Sequence, residues 1–192
     1  MQAWFCETLS GPDGLLWKEV PTPQPGAGEV RIAIRAASLN FPDILIVQGK
    51  YQFKPALPFV PGSEYSGVVE ALGEGVSHVQ VGDAVAAMGS TGGFATHAIV
   101  AAKSVLKLPP GFALEDGAAF ALTYGTSHHA LVDRAALKAG ETVLVLGAAG
   151  GVGTSAIQVA KAMGAKVIAA AYTDEKCAFC RELGADATLN YA

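Results

Sequence analysis

Short strand-forming segments separated by Gly and Pro make up the first hundred residues. Within residues 29–36, apolar and polar side chains alternate, as expected for a strand with one buried face. The intervening prolines lack a ladder donor and the glycines allow positive φ, so the intervening segments are predicted to be turns. The predicted strands span residues 2–7, 15–20, 29–36, 66–72, 83–88 and 94–101. The first part of the chain is therefore predicted to be rich in half-buried sheet.

One short helix interrupts these strands. Residues 40–49 have apolar side chains at helical spacing, with Asn40 before them and Gly49 after them. Asn is a favoured N-cap residue and Gly commonly ends helices, so a helix is predicted between the two.

The pattern changes after residue 114. Residues 118–122 and 127–137 are rich in alanine and compatible with helix, whereas the next strands are continuous apolar runs typical of a parallel sheet buried on both faces. We predict, in order, strand 142–146, a glycine-rich turn 147–153, helix 154–163, strand 166–171, helix 174–183 and the start of a strand at 187–191. This order is a βαβ unit extended by a further helix and strand.

The glycine-rich turn has the spacing of a dinucleotide fingerprint. From Ala148 it is A-x-G-x-x-G, with glycines at 150 and 153 and an additional Gly151. Such a turn allows the backbone to approach a pyrophosphate, which then binds to N–H groups at the positive end of the following helix. The position between a strand and a helix supports dinucleotide binding over a simple tight turn. The candidate cofactor-binding residues here are Ala149, Gly150, Gly151 and Val152.

The end of the second parallel strand indicates which nucleotide is bound. NAD-binding domains carry an acidic residue there, about 20 residues after the fingerprint, that binds the adenosine ribose. This chain has Ala171, Tyr172 and Thr173 instead. Without that carboxylate a 2′-phosphate is not repelled, Thr173 can donate a hydrogen bond and Lys176 can supply positive charge. We therefore expect NADPH rather than NADH, although Lys176 could also be an ordinary solvated lysine.

Composition and charge narrow the functional classes. The 192 residues are 51% hydrophobic and 16% charged, which is too apolar for a disordered segment. The net charge of −4 is spread along the chain, so nucleic acid is not an expected partner. The apolar runs are far shorter than the ~20 residues that a bilayer crossing needs. The N-terminus lacks a secretion signal and there are three cysteines, so we expect a cytoplasmic protein without disulfides.

Several motifs occur in order along the whole chain: PGSEYSG at 61–67, VGDAV at 81–85, TSHHAL at 126–131 and GAAGGVG at 147–153 followed by Gln158. With these the chain resembles the medium-chain dehydrogenase/reductase superfamily, and within it the zinc-free NADPH:quinone oxidoreductase (zeta-crystallin-like) branch. The resemblance implies an α/β protein in which a GroES-like β-rich catalytic domain, residues 1–122, precedes an incomplete Rossmann domain, residues 123–192. The reaction is then expected in the cleft between the two domains.

The resemblance also implies roles for single residues. Asn40 and Asp43 match an Asn-x-x-Asp element that lines the cleft, and Tyr51 matches a substrate-side tyrosine, so Asn40 and Tyr51 are the candidate catalytic residues. The alternative to these catalytic roles is a structural one: Asn40 would be a simple helix cap, and Tyr51 would be a loop aromatic that covers the core. The remaining matches concern the cofactor: Thr126 for the nicotinamide, and Lys176 and Tyr191 for the 2′-phosphate.

No metal is expected. Zinc-dependent relatives carry Cys at the position of Asn40 and His at the position of Ser63, and a four-cysteine cluster for structural zinc is absent. Cys177 and Cys180 have C-x2-C spacing, but i, i+3 is also the spacing of a buried helix face.

With no Lewis acid expected, the resemblance implies direct hydride transfer from NADPH to a quinone or another α,β-unsaturated carbonyl. Leu45 and Val47 replace a Tyr and an Arg that are usual in the quinone reductases. An enoyl-thioester reductase and a non-catalytic, crystallin-like NADPH-binding protein therefore stay as alternatives. A full Rossmann domain has about six strands, so we expect the chain to be a truncated part of a longer protein, homodimeric in its full-length form.

Overall fold

The computed structural model describes residues 1–192 and divides into two compact units, Met1–Ala121 and Leu122–Ala192. The protein is of the mixed α/β class. In the first unit the elements are β1 (Gln2–Cys6), β2 (Leu15–Glu19), β3 (Glu29–Ala37), α1 (Phe41–Val47), β4 (Glu64–Leu72), β5 (Ala84–Met88), β6 (His97–Ala101), β7 (Val105–Lys107) and α2 (Leu114–Ala118). One-turn 3-10 helices occur at Pro12–Gly14 and Ala102–Ser104.

Two antiparallel sheets form the first unit. Strands β3 to β7 make a five-stranded sheet in the order β6-β3-β4-β5-β7, and β1 pairs separately with β2. Because side chains alternate between the two faces of a strand, β3 buries Val30 and Ile32 while Arg31 between them stays partly exposed. The buried residues pack around Tyr65 of β4 in the larger core of this unit.

A smaller core lies under α1. Ile46 and Val47 of this helix pack with Cys6 of β1 and with Phe59. The helix lies within the predicted range 40–49, and its end is followed by Gly49 at φ +67°, a conformation that glycine adopts without strain. The core therefore holds the last turn of α1 in a fixed place on the unit.

The second unit contains α3 (Ala121–His128, which begins one residue before the unit), β8 (Thr142–Leu146), α4 (Gly151–Ala162), β9 (Lys166–Ala171), α5 (Asp174–Glu182) and β10 (Ala187–Asn190). A π-helical segment, His129–Arg134, continues α3. The strands pair in parallel in the order β10-β9-β8, which confirms the predicted βαβ arrangement. Its core consists of β8 and β9 side chains packed on Ile157 and Ala160 of α4 and on Cys180 of α5.

Several predictions about local structure were inaccurate. Helix α4 begins at Gly151 rather than at 154, because its glycines already have helical geometry. The short strand β7 was missed, and the helix predicted at 118–122 is replaced by α2 and the start of α3. The parallel sheet is not buried on both faces at β8, where Leu144 and Leu146 are 55% and 73% exposed. Strand β8 is an edge strand, and only its other face is covered by α4. No helix has the length and apolar character needed to cross a membrane.

Candidate functional site

The turn between β8 and α4 needs glycine at two places. Gly147 has φ +61°, and its carbonyl oxygen accepts a hydrogen bond from the backbone N–H of Gly150 at 3.0 Å. Gly153 lies against the same turn, where a Cβ atom would be 2.6 Å from the carbonyl oxygens of Gly147 and Ala148. Ala148 is fully buried, and its N–H donates to Ala170 at the end of β9. The fingerprint positions therefore close the turn onto the sheet and the helix.

The exposed side of this turn is made of backbone. Gly150 and Gly151 are exposed, and α4 begins at Gly151 with Gly150 as its N-cap. The first N–H groups of a helix have no partner within the helix, and the macrodipole makes this end positive. The predicted residues Gly151 and Val152 thus lie at a helix terminus that attracts an anion.

Two buried serines connect α3 to this terminus. The hydroxyl oxygens of Ser127 and Ser155 are 2.7 Å apart, and Ser127 donates to the carbonyl oxygen of Val152 at 3.0 Å. Ser155 also bonds to the carbonyl oxygen of Thr123 at 3.0 Å. Thr126, the predicted nicotinamide contact, is exposed beside Ser127 on α3. The sequence did not indicate these serines, because their spacing fits any helix surface.

A cavity of about 130 Å³ lies beside the glycine turn. Four residues predicted to bind cofactor line it, namely Ala149, Gly150, Lys176 and Tyr191, together with Gly147, Ala171 and Tyr172. The rings of Tyr172 and Tyr191 meet edge to face, with centroids 6.1 Å apart and planes at 64°. The structure thus brings together residues from the turn, from α5 and from the position just after β10.

The charge around this cavity is positive. Lys176 lines it, and no carboxylate does. Asp174, in the first turn of α5, accepts a hydrogen bond from the side-chain amide of Asn190 at 2.7 Å. Thr173 is the N-cap of α5, and its hydroxyl oxygen accepts the backbone N–H of Lys176 at 3.2 Å. A backbone anion site with an adjacent lysine and no carboxylate fits a phosphorylated dinucleotide.

The first unit contains a separate apolar cavity of about 400 Å³ next to α1. Its only polar lining side chains are those of Asn40 and Asp43, and its apolar lining comes from Pro12, Leu15, Leu39, Ile44, Val47 and Phe94. Tyr51 does not line this cavity, because it packs against the small core under α1. The two predicted catalytic residues are therefore not brought to one cavity wall, and their roles stay predictions.

Asp43 is 4% exposed and accepts hydrogen bonds through both oxygens. Oδ2 accepts the backbone N–H of Asn40 at 2.9 Å, and Oδ1 accepts the hydroxyl of Ser63 at 3.3 Å. Burial raises the pKa of this carboxyl group, and the hydrogen bonds from Asn40 and Ser63 partly oppose that rise. The Asp43 side chain closes the N-terminal turn of α1 as in a capping box.

The side chain of Asn40 reaches behind the cavity. Its Nδ2 donates to Ser38 Oγ at 2.8 Å and to Glu64 Oε2 at 3.1 Å. Ser38 in turn donates its hydroxyl hydrogen to the same Glu64 oxygen at 2.6 Å, and Glu64 is fully buried. Asn40 is thus more than a helix cap. Sequence reasoning missed Ser38 and Glu64, because no local pattern indicates that the start of β4 lies behind Asn40.

No group of three or more His, Cys, Asp or Glu side chains is arranged to hold a metal ion. Cys177 and Cys180 both lie on the buried face of α5, at 3% and 0% exposure. Cys180 belongs to the core of the second unit.

Comparison with known protein families gives two domain matches, one in each unit. Residues 26–110 match the alcohol dehydrogenase GroES-like domain, and residues 151–192 match the zinc-binding dehydrogenase family. The quinone oxidoreductase-like protein 2 of Bos taurus is 42% identical over 193 residues, and the quinone oxidoreductase of Homo sapiens is 39% identical. Each alignment covers 100% of this chain, but 54% and 59% of the respective relative.

Among solved structures, the quinone oxidoreductase of Thermus thermophilus, also determined in complex with NADPH, superimposes with a TM-score of 0.88 at 39% identity. The match covers 100% of this chain and 60% of that protein. The chain therefore spans a little over half the length of these relatives. The chain is thus similar over its whole length to part of these quinone oxidoreductases, and its two domain matches are to the alcohol dehydrogenase GroES-like domain and the zinc-binding dehydrogenase family.

Proposed function

We propose that this chain is part of an NADPH-dependent oxidoreductase that reduces a quinone or a related α,β-unsaturated carbonyl. The cavity beside the glycine turn carries this proposal, because backbone N–H groups, Lys176 and Tyr191 converge there without a carboxylate. The structural neighbour that binds NADPH supports the same cofactor.

The second unit would hold the dinucleotide through three kinds of group. The turn from Ala149 to Val152 and the start of α4 offer backbone N–H groups to the pyrophosphate. Lys176 offers charge to the 2′-phosphate, and Thr173 and Tyr191 lie beside it with hydroxyl groups that can donate. The shape of the turn depends on Gly153, since a Cβ there would push the helix away from the strand. Thr126 is assigned to the nicotinamide end.

When bound, NADPH supplies a hydride to the electrophilic carbon or quinone. The residues of this chain contribute binding and orientation. The apolar cavity next to α1 excludes water from a flat unsaturated ring, and Asn40 and Asp43 provide its polar groups. Tyr51, which packs against the small core under α1, is assigned to substrate binding on the family resemblance.

A fluorescence titration with NADPH and NADH tests the cofactor assignment. We expect NADPH to bind at least tenfold more tightly, because only it carries the phosphate that Lys176 can pair with. Equal affinities would overturn the preference for NADPH. Failure of both nucleotides to bind at millimolar concentration would overturn the assignment of the glycine turn.

NADPH oxidation with a panel of quinones and enones, by the protein expressed from its complete reading frame, tests the reaction. Turnover with quinones or simple enones is expected. Tight NADPH binding without turnover of any acceptor would favour a non-catalytic binding protein, and turnover restricted to enoyl thioesters would favour the enoyl-thioester reductase.

A further inference from the structure

We propose that the ring of Tyr172 is the surface on which the adenine base of the dinucleotide stacks, so that the second unit holds the nucleotide by its base as well as by its phosphates. This inference rests on the proposed function and deepens it, because it adds a base-binding residue to the same site. The observation behind it is a pair of exposed aromatic rings, Tyr172 and Tyr191, on the wall of the cavity beside the glycine turn.

Tyr172 stands where the adenosine half of a dinucleotide is held. It is the first residue after β9, the second strand of the parallel sheet, and the carboxyl end of that strand meets the adenosine ribose in dinucleotide-binding domains. Tyr191 lies beside it, because the backbone N–H of Tyr191 donates to the carbonyl oxygen of Ala171 at 3.2 Å. Both rings are therefore at the adenosine end of the site.

The two rings are open to a ligand. Tyr172 is 60% exposed and Tyr191 is 50% exposed, although each is a large aromatic side chain. Their centroids are 6.1 Å apart and their planes meet at 64°, which is an edge-to-face contact. In such a contact one ring offers only its edge, so the contact leaves both faces of that ring uncovered.

The rings are the only large apolar surface of this cavity. Apart from Lys176, the rest of the lining has no side chain larger than a methyl group, since it consists of Gly147, Ala149, Gly150 and Ala171. Backbone N–H groups and the lysine suit phosphates, whereas an aromatic face suits a flat base. Tyr191 is assigned to the 2′-phosphate, which leaves Tyr172 for the adenine that the same ribose carries.

A contact to the base differs in its consequences from a contact to the 2′-phosphate. NADPH and NADH both contain adenine, so loss of a stacking ring weakens both to the same extent. Loss of a cation that pairs with the 2′-phosphate weakens NADPH alone. The ratio of the two affinities therefore separates the role of Tyr172 from that of Lys176.

Fluorescence titration of Tyr172→Ala, made in the protein expressed from its complete reading frame, tests the inference. Both NADPH and NADH should bind about tenfold more weakly than to the unmodified protein, with their ratio within about twofold of its original value. Inorganic pyrophosphate, which has no base, should displace NADPH with a dissociation constant changed by less than about twofold.

Two further variants separate stacking from other effects. Tyr172→Phe keeps the ring and removes the hydroxyl, so it should bind both nucleotides within about twofold of the unmodified protein. Phe179→Ala removes a 43% exposed ring from α5 outside the cavity, and it should leave all these affinities unchanged. A merely structural role of Tyr172 would weaken pyrophosphate along with the nucleotides.

Nuclear magnetic resonance of bound 2′,5′-ADP detects the stacking itself, and it keeps the inference open to refutation if Tyr172→Ala does not fold. The adenine H2 and H8 resonances should move upfield on binding to the unmodified protein and to Tyr172→Phe, because protons above an aromatic face are shielded by its ring current. The upfield shift should be lost in Tyr172→Ala.

Unchanged nucleotide affinities in Tyr172→Ala, or no upfield shift in the unmodified protein, would overturn the inference while NADPH binding still supported the proposed function. A loss in Tyr172→Phe that is confined to NADPH would make the Tyr172 hydroxyl a phosphate donor and would also overturn it. Failure of the unmodified protein to bind either nucleotide would overturn the inference and the proposed cofactor together.

Discussion

Gly153 at the start of α4 lies so close to Ala148 that a Cβ atom would stand 2.6 Å from the Ala148 carbonyl oxygen. The contact is with backbone of the turn rather than with the end of a flexible side chain, so it cannot be relieved without moving α4. This one distance gives a physical reason for the glycine that ends the fingerprint.

Gly153→Ala should therefore destabilise the second unit by about 1–3 kcal/mol and weaken NADPH binding more than tenfold, because the helix terminus moves away from the turn. Urea unfolding followed by circular dichroism measures the first effect, and the fluorescence titration measures the second. Both tryptophans, Trp4 and Trp17, lie in the first unit, so their fluorescence reports that unit separately.

The matched control is Gly125→Ala on α3, where a Cβ would meet nothing within 4 Å. That variant should be neutral or up to about 1 kcal/mol more stable, since alanine favours helix. Equal effects of the two substitutions would contradict the steric argument.

Lys176→Ala should lower NADPH affinity about tenfold and leave NADH affinity within twofold, because the lysine is the cation lining the cavity of the second unit. The ratio of the two dissociation constants, measured at low and high salt, is the informative quantity. Lys166→Ala, at the opposite end of β9, removes the same charge from an exposed position and should change the affinity for neither nucleotide. Loss of affinity for both nucleotides in Lys176→Ala would point to a general structural role instead.

Features that depend on residues close together in the sequence could be predicted, whereas features that depend on distant residues could not. The order of strands and helices after residue 142 follows from local periodicity, and the Ala148, Gly150 and Gly153 spacing of the fingerprint follows from backbone geometry. Both are local properties, so they were predicted closely. The start of α4 was misplaced by three residues because glycines that favour a turn also fit the first turn of a helix.

The contacts behind Asn40 could not be predicted in the same way. Ser38 precedes α1, whereas Glu64 begins β4 more than twenty residues later. The hydrogen bond between them therefore depends on how β3 and β4 pair. The β3 and β4 ladder contains two irregularities, between Arg31 and Ile32 and between Ile34 and Ala36, that shift the register by amounts no alternation pattern reveals. The family resemblance located Asn40, but the direction of its amide needed the tertiary structure.

Stability at acid pH should depend on Asp186, which follows α5. Its carboxylate accepts hydrogen bonds from the Lys161 ammonium group at 2.8 Å and from the backbone N–H of Val167 at 2.7 Å. The hydrogen bond from Lys161, followed by that from Val167, lowers the pKa of Asp186 below its ordinary value of 3.8. A depressed carboxyl pKa contributes stability above the unfolded-state pKa, and this contribution is lost as the pH falls through the folded-state pKa.

We therefore expect Asp186→Asn to be less stable than the unmodified chain at pH 7, with the difference shrinking below about pH 4. Urea midpoints by circular dichroism between pH 7 and pH 3 would show it. Glu182→Gln, at the exposed end of α5, is the control for loss of a negative charge in the same unit. A difference between Asp186→Asn and the unmodified chain that stays constant down to pH 3 would contradict this linkage.

The three free thiols, Cys6, Cys177 and Cys180, should be inert in the folded chain. All three are buried, and burial raises the pKa of the Cys6 and Cys180 thiols, so little reactive thiolate is exposed to a reagent. A colorimetric thiol reagent should detect less than one thiol within minutes under native conditions and all three in denaturant. NADPH should slow the residual reaction of Cys177 and Cys180, because a ligand of the second unit suppresses its opening, while leaving Cys6 in the first unit unaffected. Rapid native reaction of Cys177 or Cys180 would mean that α5 does not pack on β9 as the structure shows.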